Sequence, residues 1–251
     1  MLKCAKSELA VNGGPQANAI LLILDQLQPS LLRGLTKSEV ELVVAHAAQR
    51  KCRRGAILTE EGQPADQFFM ILRGRTRYFT LTRDGRRVLL LWKLPGETFG
   101  GMTLLHVPSE YLVSTVAVRD CELLVWNRTD IRGLVTRSPR LLENSLLLAS
   151  DYLRWYIRTQ LVLISHSASQ RLALELFHLA NDTGASAQDG VELDVTNEEL
   201  ADAANITRFS TSRLLSEWER KGVLTKSRNK IIVHSSERLF AYTLPRRGTA
   251  A

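Results

Sequence analysis

Between Pro139 and Gly184 the chain contains neither glycine nor proline, the longest such stretch in the sequence, and nothing in it interrupts a helix. Ser138-Pro139 is a favourable start, because proline at the first helical position lacks only an N–H that would be unpaired there anyway. A helix from Pro139 to about Ile164 would be about 39 Å long at about 1.5 Å per residue. Leu142, Leu146, Ala149, Leu153, Tyr156, Gln160 and Leu163 alternate spacings of four and three, the seam of a two-stranded coiled coil. Leu147, Leu148, Trp155 and Ile157 lie off that seam. A helix apolar on two faces covers its own domain with one and needs a partner for the other. A second copy of itself is the simplest partner, so the seam is the expected homodimer interface.

The 251 residues allow one large domain or two ordinary ones. With 45% hydrophobic and 24% charged residues, the composition excludes a disordered, collagen-like or disulfide-scaffold chain. Cys4, Cys52 and Cys121 are far apart and form no CxxC pair, which excludes a zinc finger and suits a reducing cytosol. No stretch approaches the roughly 18 apolar residues of a membrane span, and the N-terminus has no apolar signal core, so a cytoplasmic location is expected.

Residues 1 to 18, with Asn12-Gly13-Gly14-Pro15, read as a flexible tail. Two short helices are expected next, Ala19 to Leu27 and Thr36 to Arg50, with Thr36 and Glu39 at capping-box spacing. From Arg53 to about Asn127, turn signals separate short apolar runs such as Phe68 to Leu72, Tyr78 to Leu81 and Val88 to Leu94. That spacing indicates an all-β sandwich or barrel, and Asp84-Gly85 is its best hairpin signal. Residues 19 to 137 thus form one domain, 138 to 166 the long helix and a Ser165-His166-Ser167 hinge, 167 to 240 a second domain, and 241 to 251 a tail. The second domain opens with a helix from Gln170 to Asn181 and a loop from Asp182 to Gly190.

In the second domain, Thr196 and Glu199 again have capping-box spacing, and Leu200, Ala203 and Ala204 give a short apolar face. Asn205 tolerates the left-handed backbone of a tight turn. Ile206 fills the core, and Thr207 caps a second helix with Thr211, Leu214, Leu215 and Trp218 on one side; Arg220-Lys221 and Gly222 end it. Two such helices make a helix-turn-helix, whose second helix enters the major groove. Arg208, Phe209, Ser210, Ser212 and Arg213 occupy its reading half, and Arg reads guanine bidentately. Val223 to Thr225 and Ile231 to Val233 form a wing, with Lys226, Arg228 and Lys230 suited to phosphates. Together with Thr196 and Thr207 these are the candidate DNA-binding residues.

In this order, the run Phe68 to Gly74, the turn Pro95 to Gly100, Ser138-Pro139 and the segment Val195 to Leu215 resemble the Crp–Fnr superfamily of bacterial transcription regulators, over about residues 28 to 238. The resemblance implies an α+β fold. Its parts are an N-terminal cyclic-nucleotide-binding-like β-roll of the double-stranded β-helix or jelly-roll kind, a long dimerisation helix and a C-terminal winged helix-turn-helix. It implies a homodimer on palindromic double-stranded DNA, and RNA polymerase as partner of an activator, with the Asp182 to Gly190 loop near one contact region. Arg208 and Arg213 fall on family base-reading positions, and Ser212 matches one of the Fnr branch. Phe209 replaces a Glu that reads cytosine, so thymine-methyl contact is expected instead.

Cyclic-nucleotide sensors of that family hold ribose and phosphate with Gly-Glu after Phe and with Arg-Ser about ten residues on. Here Gly101 follows Phe99-Gly100, the Arg-Ser positions hold Tyr111-Leu112, and Tyr156 and Ile157 replace the base-contacting residues of the long helix. Neither cyclic AMP nor cyclic GMP is expected. The pocket formed by these seven residues takes a less polar small-molecule effector or is filled by side chains. Cys121 matches a cluster ligand of the Fnr branch, but Cys4 alone stands where three thiolates are needed, so no iron–sulfur cluster is expected. Cys121 reads as a buried strand residue. Haem on His46, His106 or His166 is disfavoured, and no metal site is expected. The scattered histidines, with no GxSxG, Walker or HExxH motif, argue against an enzyme. The rival reading is a ligand-sensing or protein-interaction module whose β-roll regulates without selective DNA binding.

The net charge of +7 would suit a polyanion binder, but it does not come from the second domain. Residues 167 to 251 hold eleven basic and eleven acidic residues, and residues 1 to 166 hold 22 against 15. Within the head, 182 to 202 carry seven acids and no base, whereas 203 to 236 carry seven bases and two acids. That local excess is what supports DNA binding. The basic β-roll is expected to present a solvated face or to hold flanking DNA.

Overall fold

In the computed structural model, which describes residues 8–10, 15–81, 83, 85, 87–182, 184–187, 189–227 and 230–243, the chain divides into two units between Arg154 and Trp155. The first contains β1 (Glu8–Ala10), α1 (Pro15–Leu27), α2 (Lys37–Ala45), β2 (Ala48–Cys52), β3 (Ile57–Thr59), β4 (Gln67–Arg73), β5 (Thr76–Leu81), β6 (Arg87–Lys93), β7 (Thr98–Phe99), β8 (Ser114–Ala117), β9 (Cys121–Asn127) and α3 (Arg128–Arg137). Its strands form two antiparallel sheets, ordered β1-β2-β9-β4-β7 and β3-β8-β5-β6, the β-sheet roll of an α+β protein.

The unbroken apolar run in β4 has a simple cause: both faces of this central strand are covered. Phe68, Met70 and Leu72 join Leu124 and Trp126 against Ile20 and Leu24 of α1, Val43 and Val44 of α2, and Ile131 and Leu134 of α3. Phe69 and Ile71 face the other way, with Phe99, Leu123, Val125 and Tyr78. The Phe69 and Phe99 rings stack at 4.5 Å. Each such side chain contributes roughly 1.5–3 kcal/mol by leaving water. Trp126 also donates its indole N–H to Val43 O at 2.8 Å.

Helix α4 (Pro139–Ser165) is one continuous helix, as the Gly- and Pro-free run predicts. Near its start the buried Asn144 amide donates to both Leu31 O and Arg33 O at 2.8 Å. Of the seam residues, Leu142, Leu146, Leu153 and Tyr156 are exposed in the single chain, along with Leu147, Tyr152, Ile157, Leu161 and Ile164.

The second unit adds α5 (Ala168–Asp182), β10 (Ala185–Ala187), β11 (Gly190–Asp194), α6 (Asn197–Ala203), α7 (Arg208–Arg220), β12 (Leu224–Ser227), β13 (Lys230–Val233) and α8 (Ser236–Ala241). Leu172, Leu176, Leu193, Leu200, Leu215, Trp218, Val223, Ile231 and Leu239 are buried at its centre.

Several local readings change. The segment read as a tail supplies β1, which pairs with β2, and the first residues of α1, where Pro15 fits the first helical position. The second helix stops at Ala45, and Ala48 to Arg50 turn into β2, because that strand pairs along β9 from Ala48↔Val125 to Cys52↔Cys121. Helix α3 is an addition; Asn127 caps it, its Oδ1 accepting from Asp130 N–H at 2.9 Å. The wing belongs to a four-stranded sheet, β10-β11-β13-β12, and the Asp182 to Gly190 loop contains β10. The Asp84-Gly85 signal does sit between paired β5 and β6, with Gly85 at φ +78°; Asp84 lies outside the described residues.

Candidate nucleic-acid interface

Both helices of the expected helix-turn-helix start on the threonines that the sequence singles out. Thr196 Oγ1 accepts from Glu199 N–H at 3.1 Å, and Glu199 Oε2 accepts from Thr196 N–H at 2.8 Å, a complete capping box. Asn205 takes a positive φ of +49°, and Ile206 N–H closes the turn on Ala201 O at 2.9 Å. Thr207 Oγ1 then accepts from Ser210 N–H at 3.1 Å and donates to Ser210 Oγ at 2.9 Å. The two caps therefore spend Thr196, Thr207 and Ser210 on the geometry of the motif.

One face of α7 buries Thr211, Leu214, Leu215 and Trp218. That leaves Arg208, Phe209, Ser212 and Arg213 together on the exposed face, Phe209 with 79% of its surface in water. A large aromatic held out in this way gains nothing for the fold and is available for contact. The cations of the head have acidic neighbours. Arg208 pairs with Glu198 of α6, Lys221 with Glu217 at 2.6 Å, and Lys230 with Glu192 of β11 at 2.6 Å. Lys226 lies back on α7, its Nζ 3.1 Å from Glu219 and donating to Ser216 Oγ at 2.8 Å. The Lys226 backbone N–H holds the Glu219 carboxyl below the usual range, and a hydrogen bond from Lys221 does so for Glu217. Arg228 lies outside the described residues. The sequence reading missed Glu198, Glu192 and Arg171, whose partners lie 10, 38 and up to 34 residues away in the chain, beyond any local pattern.

In the β-roll, Gly100 and Tyr111 gather around Gln67, while Phe99 stacks on Phe69. Gly100 has φ +83°, and a Cβ there would lie 2.6 Å from Gln67 O. The buried Tyr111 hydroxyl donates to Gln67 O at 2.8 Å and accepts from Gln67 N–H at 3.0 Å. Thr103 donates to the same carbonyl at 2.8 Å, and Arg50 donates to the Gln67 side chain at 3.0 Å. Desolvation raises the Tyr111 pKa, so the phenol stays neutral. Gly101 starts a short 3-10 turn that ends at Leu104. Leu112 does not join this group: 67% of its surface is in water, since Tyr111 before it takes the inward position. Tyr156 and Ile157 are exposed on α4, in the second unit.

His46 hydrogen-bonds Leu42 O, His106 the Arg132 guanidinium, and His166 the Ser165 hydroxyl, each at 2.8 Å. Cys121 is buried and free on β9, and burial pushes its thiol up to about 11. Among the described residues, no group of three or more His, Cys, Asp or Glu side chains is placed to hold a metal ion, and no helix is long and apolar enough to cross a membrane.

Residues 49–138 match a cyclic nucleotide-binding domain, and residues 170–242 match a Crp-like helix-turn-helix domain. The cyclic AMP receptor protein of Thermus thermophilus is 30% identical over 194 residues, 77% of this chain and 87% of that protein. The anaerobic regulatory protein of Bacillus subtilis is 27% identical over 202 residues, 79% and 85% of the two chains. Among solved structures, FixK2 of Bradyrhizobium japonicum superposes with a TM-score of 0.70 at 21% identity, covering 79% of this chain and 98% of the other. With its two domains in this order and relatives aligned across both, the chain belongs to the Crp/Fnr family of transcription regulators and carries their helix-turn-helix DNA-binding domain.

Proposed function

We propose that the protein binds a palindromic duplex site as a homodimer, reads each half-site with α7, and does so without cyclic AMP or cyclic GMP. The observation that carries the DNA reading is the exposed set Arg208, Phe209, Ser212 and Arg213 on a helix whose other face is fully packed. Arginine reads guanine, and Phe209 offers apolar contact to a thymine methyl. The exposed apolar seam of α4 supports the homodimer, because an unpartnered row of Leu and Tyr is costly in water. Selection of bound fragments from genomic DNA tests this reading. It should enrich palindromes with half-sites about one helical turn, roughly 34–36 Å, apart. No enrichment over input would end it.

The β-roll reading rests on Tyr111. Where the family resemblance places an arginine for the phosphate, this chain has a neutral phenol satisfied by the Gln67 peptide. Gly101 offers no carboxylate for a ribose. A buried anion without its counter-ion is disfavoured by roughly 3–5 kcal/mol, which outweighs the likeness to a relative named for cyclic AMP. Calorimetric titration with either cyclic nucleotide should therefore give no saturable heat in the micromolar range, whereas a micromolar isotherm would contradict the assignment. The same Tyr111 contacts favour a pocket filled by side chains over one open to a less polar effector.

A further inference from the structure

Arg171, near the start of α5, joins two segments that are distant in sequence. Its Nη1 donates to His166 O at 2.9 Å, immediately past the end of α4. From the other edge of the same guanidinium, Nε donates to Ala204 O at 2.9 Å and Nη2 to Asn205 O at 3.1 Å. Those two carbonyls are consecutive and belong to the turn between α6 and α7. Carbonyls at a helix C-terminus lack an intrahelical partner, and a cation is favourable there. The base of the clamp is rigid, since Leu172, Ala173 and Leu176 of α5 are fully buried and Gln170 both caps at Ser167 and donates to Thr243 O at 3.3 Å. Arginine suits the position because its donors form a fixed planar fork that spans three acceptors, whereas a lysine ammonium is a point donor.

We infer that Arg171 is a positioning residue that ties the turn before α7 to the end of α4 and so sets the distance between the two recognition helices of a homodimer. This rests on the homodimer reading above. Contacts to one half-site are made within one head, by α7 and the wing. Engaging the second half-site is intramolecular, and its strength depends on how well the geometry of the two heads matches the DNA. Loosening the clamp therefore weakens the second engagement and spares the first.

The test uses the full-length chain with Arg171→Met, which keeps much of the bulk without donors, and Arg171→Lys. Sedimentation reports the dimer, and thermal unfolding reports the head. Fluorescence anisotropy reports affinity for duplexes carrying one half-site, the full palindrome, and palindromes one base pair shorter or longer between half-sites. For Arg171→Met, half-site affinity should stay within about twofold of wild type, while the palindrome-to-half-site ratio falls about tenfold or more and the penalty for altered spacing shrinks. Arg171→Lys should fall in between. A wild-type ratio and spacing penalty in Arg171→Met would overturn the inference. So would a fall in half-site affinity that accompanies a lower melting temperature, because Arg171 would then merely hold the head together. Should Arg171→Met not fold, an unchanged ratio in Arg171→Lys counts against the clamp equally. A wild-type protein that binds a half-site as tightly as the palindrome would instead refute the homodimer reading, and this inference with it.

Discussion

Replacing Arg213 by alanine should lower affinity for the selected operator by roughly 1–3 kcal/mol at each half-site, and by about twice that in a dimer that engages both. The side chain is exposed on α7, opposite the buried Leu214, Leu215 and Trp218, so its loss leaves the packing of the head intact. The loss should therefore appear in binding and not in the melting curve. It should also be selective. A phosphate-binding cation weakens all duplexes alike, whereas a guanine-reading arginine costs most on the cognate site and relaxes preference at one position. Arg208→Ala should cost less, because Glu198 already holds that guanidinium and must release it to DNA. Competition anisotropy with operator and scrambled duplexes separates these cases. An unchanged selectivity in Arg213→Ala would mean that α7 is misplaced as the reading helix.

Gly74→Ala should destabilise the first unit by about 4 kcal/mol or more, within the range reserved for strongly disruptive substitutions. Gly74 sits at φ +88°, and a Cβ there would meet the Asp120 carbonyl oxygen at 2.2 Å and Cys121 Sγ at 2.8 Å. The first obstacle is backbone, and it cannot rotate away. Moving it disturbs the turn between β8 and β9, where Asp120 also accepts from Arg54 N–H at 2.8 Å. Since whole domains are stable by only about 5–15 kcal/mol, such a loss approaches unfolding. Gly85→Ala is the control. Gly85 has a comparable φ of +78° but nothing within 4 Å of an added Cβ. It should lose only about 1–2 kcal/mol, the cost of a left-handed alanine. Equal losses in urea denaturation would show that backbone conformation, not the close approach to Asp120, dominates at Gly74.

What was legible in the sequence follows from the range of the interactions. The caps at Thr36, Thr196 and Thr207 and the turn at Asn205 are set within three or four residues, and the structure has each of them. Helix α4 is equally plain, because nothing within it breaks a helix. By contrast, Ala48-Gln49-Arg50 has no strand texture of its own; it is β2 because β9, more than 70 residues later, offers a pairing edge. The same holds for β10, whose three small residues form a strand only beside β11. Within the candidate sites, α7 could be read from one amphipathic helix. Arg171 could not, since its acceptors are two turns of chain that meet only in the folded head. Tyr111 was identifiable as a departure from the family, but its bonds to Gln67, 44 residues earlier, were not.

The proposed function is DNA selection by this chain's own head without a cyclic nucleotide. Its most direct test is anisotropy of the wild-type protein on the selected palindrome and on a scrambled duplex, at one stated salt concentration, with and without saturating cyclic AMP. The preference for the palindrome should be at least about 10³-fold and unchanged by the nucleotide. A preference near unity, or one that emerges only when cyclic AMP is added, would contradict it.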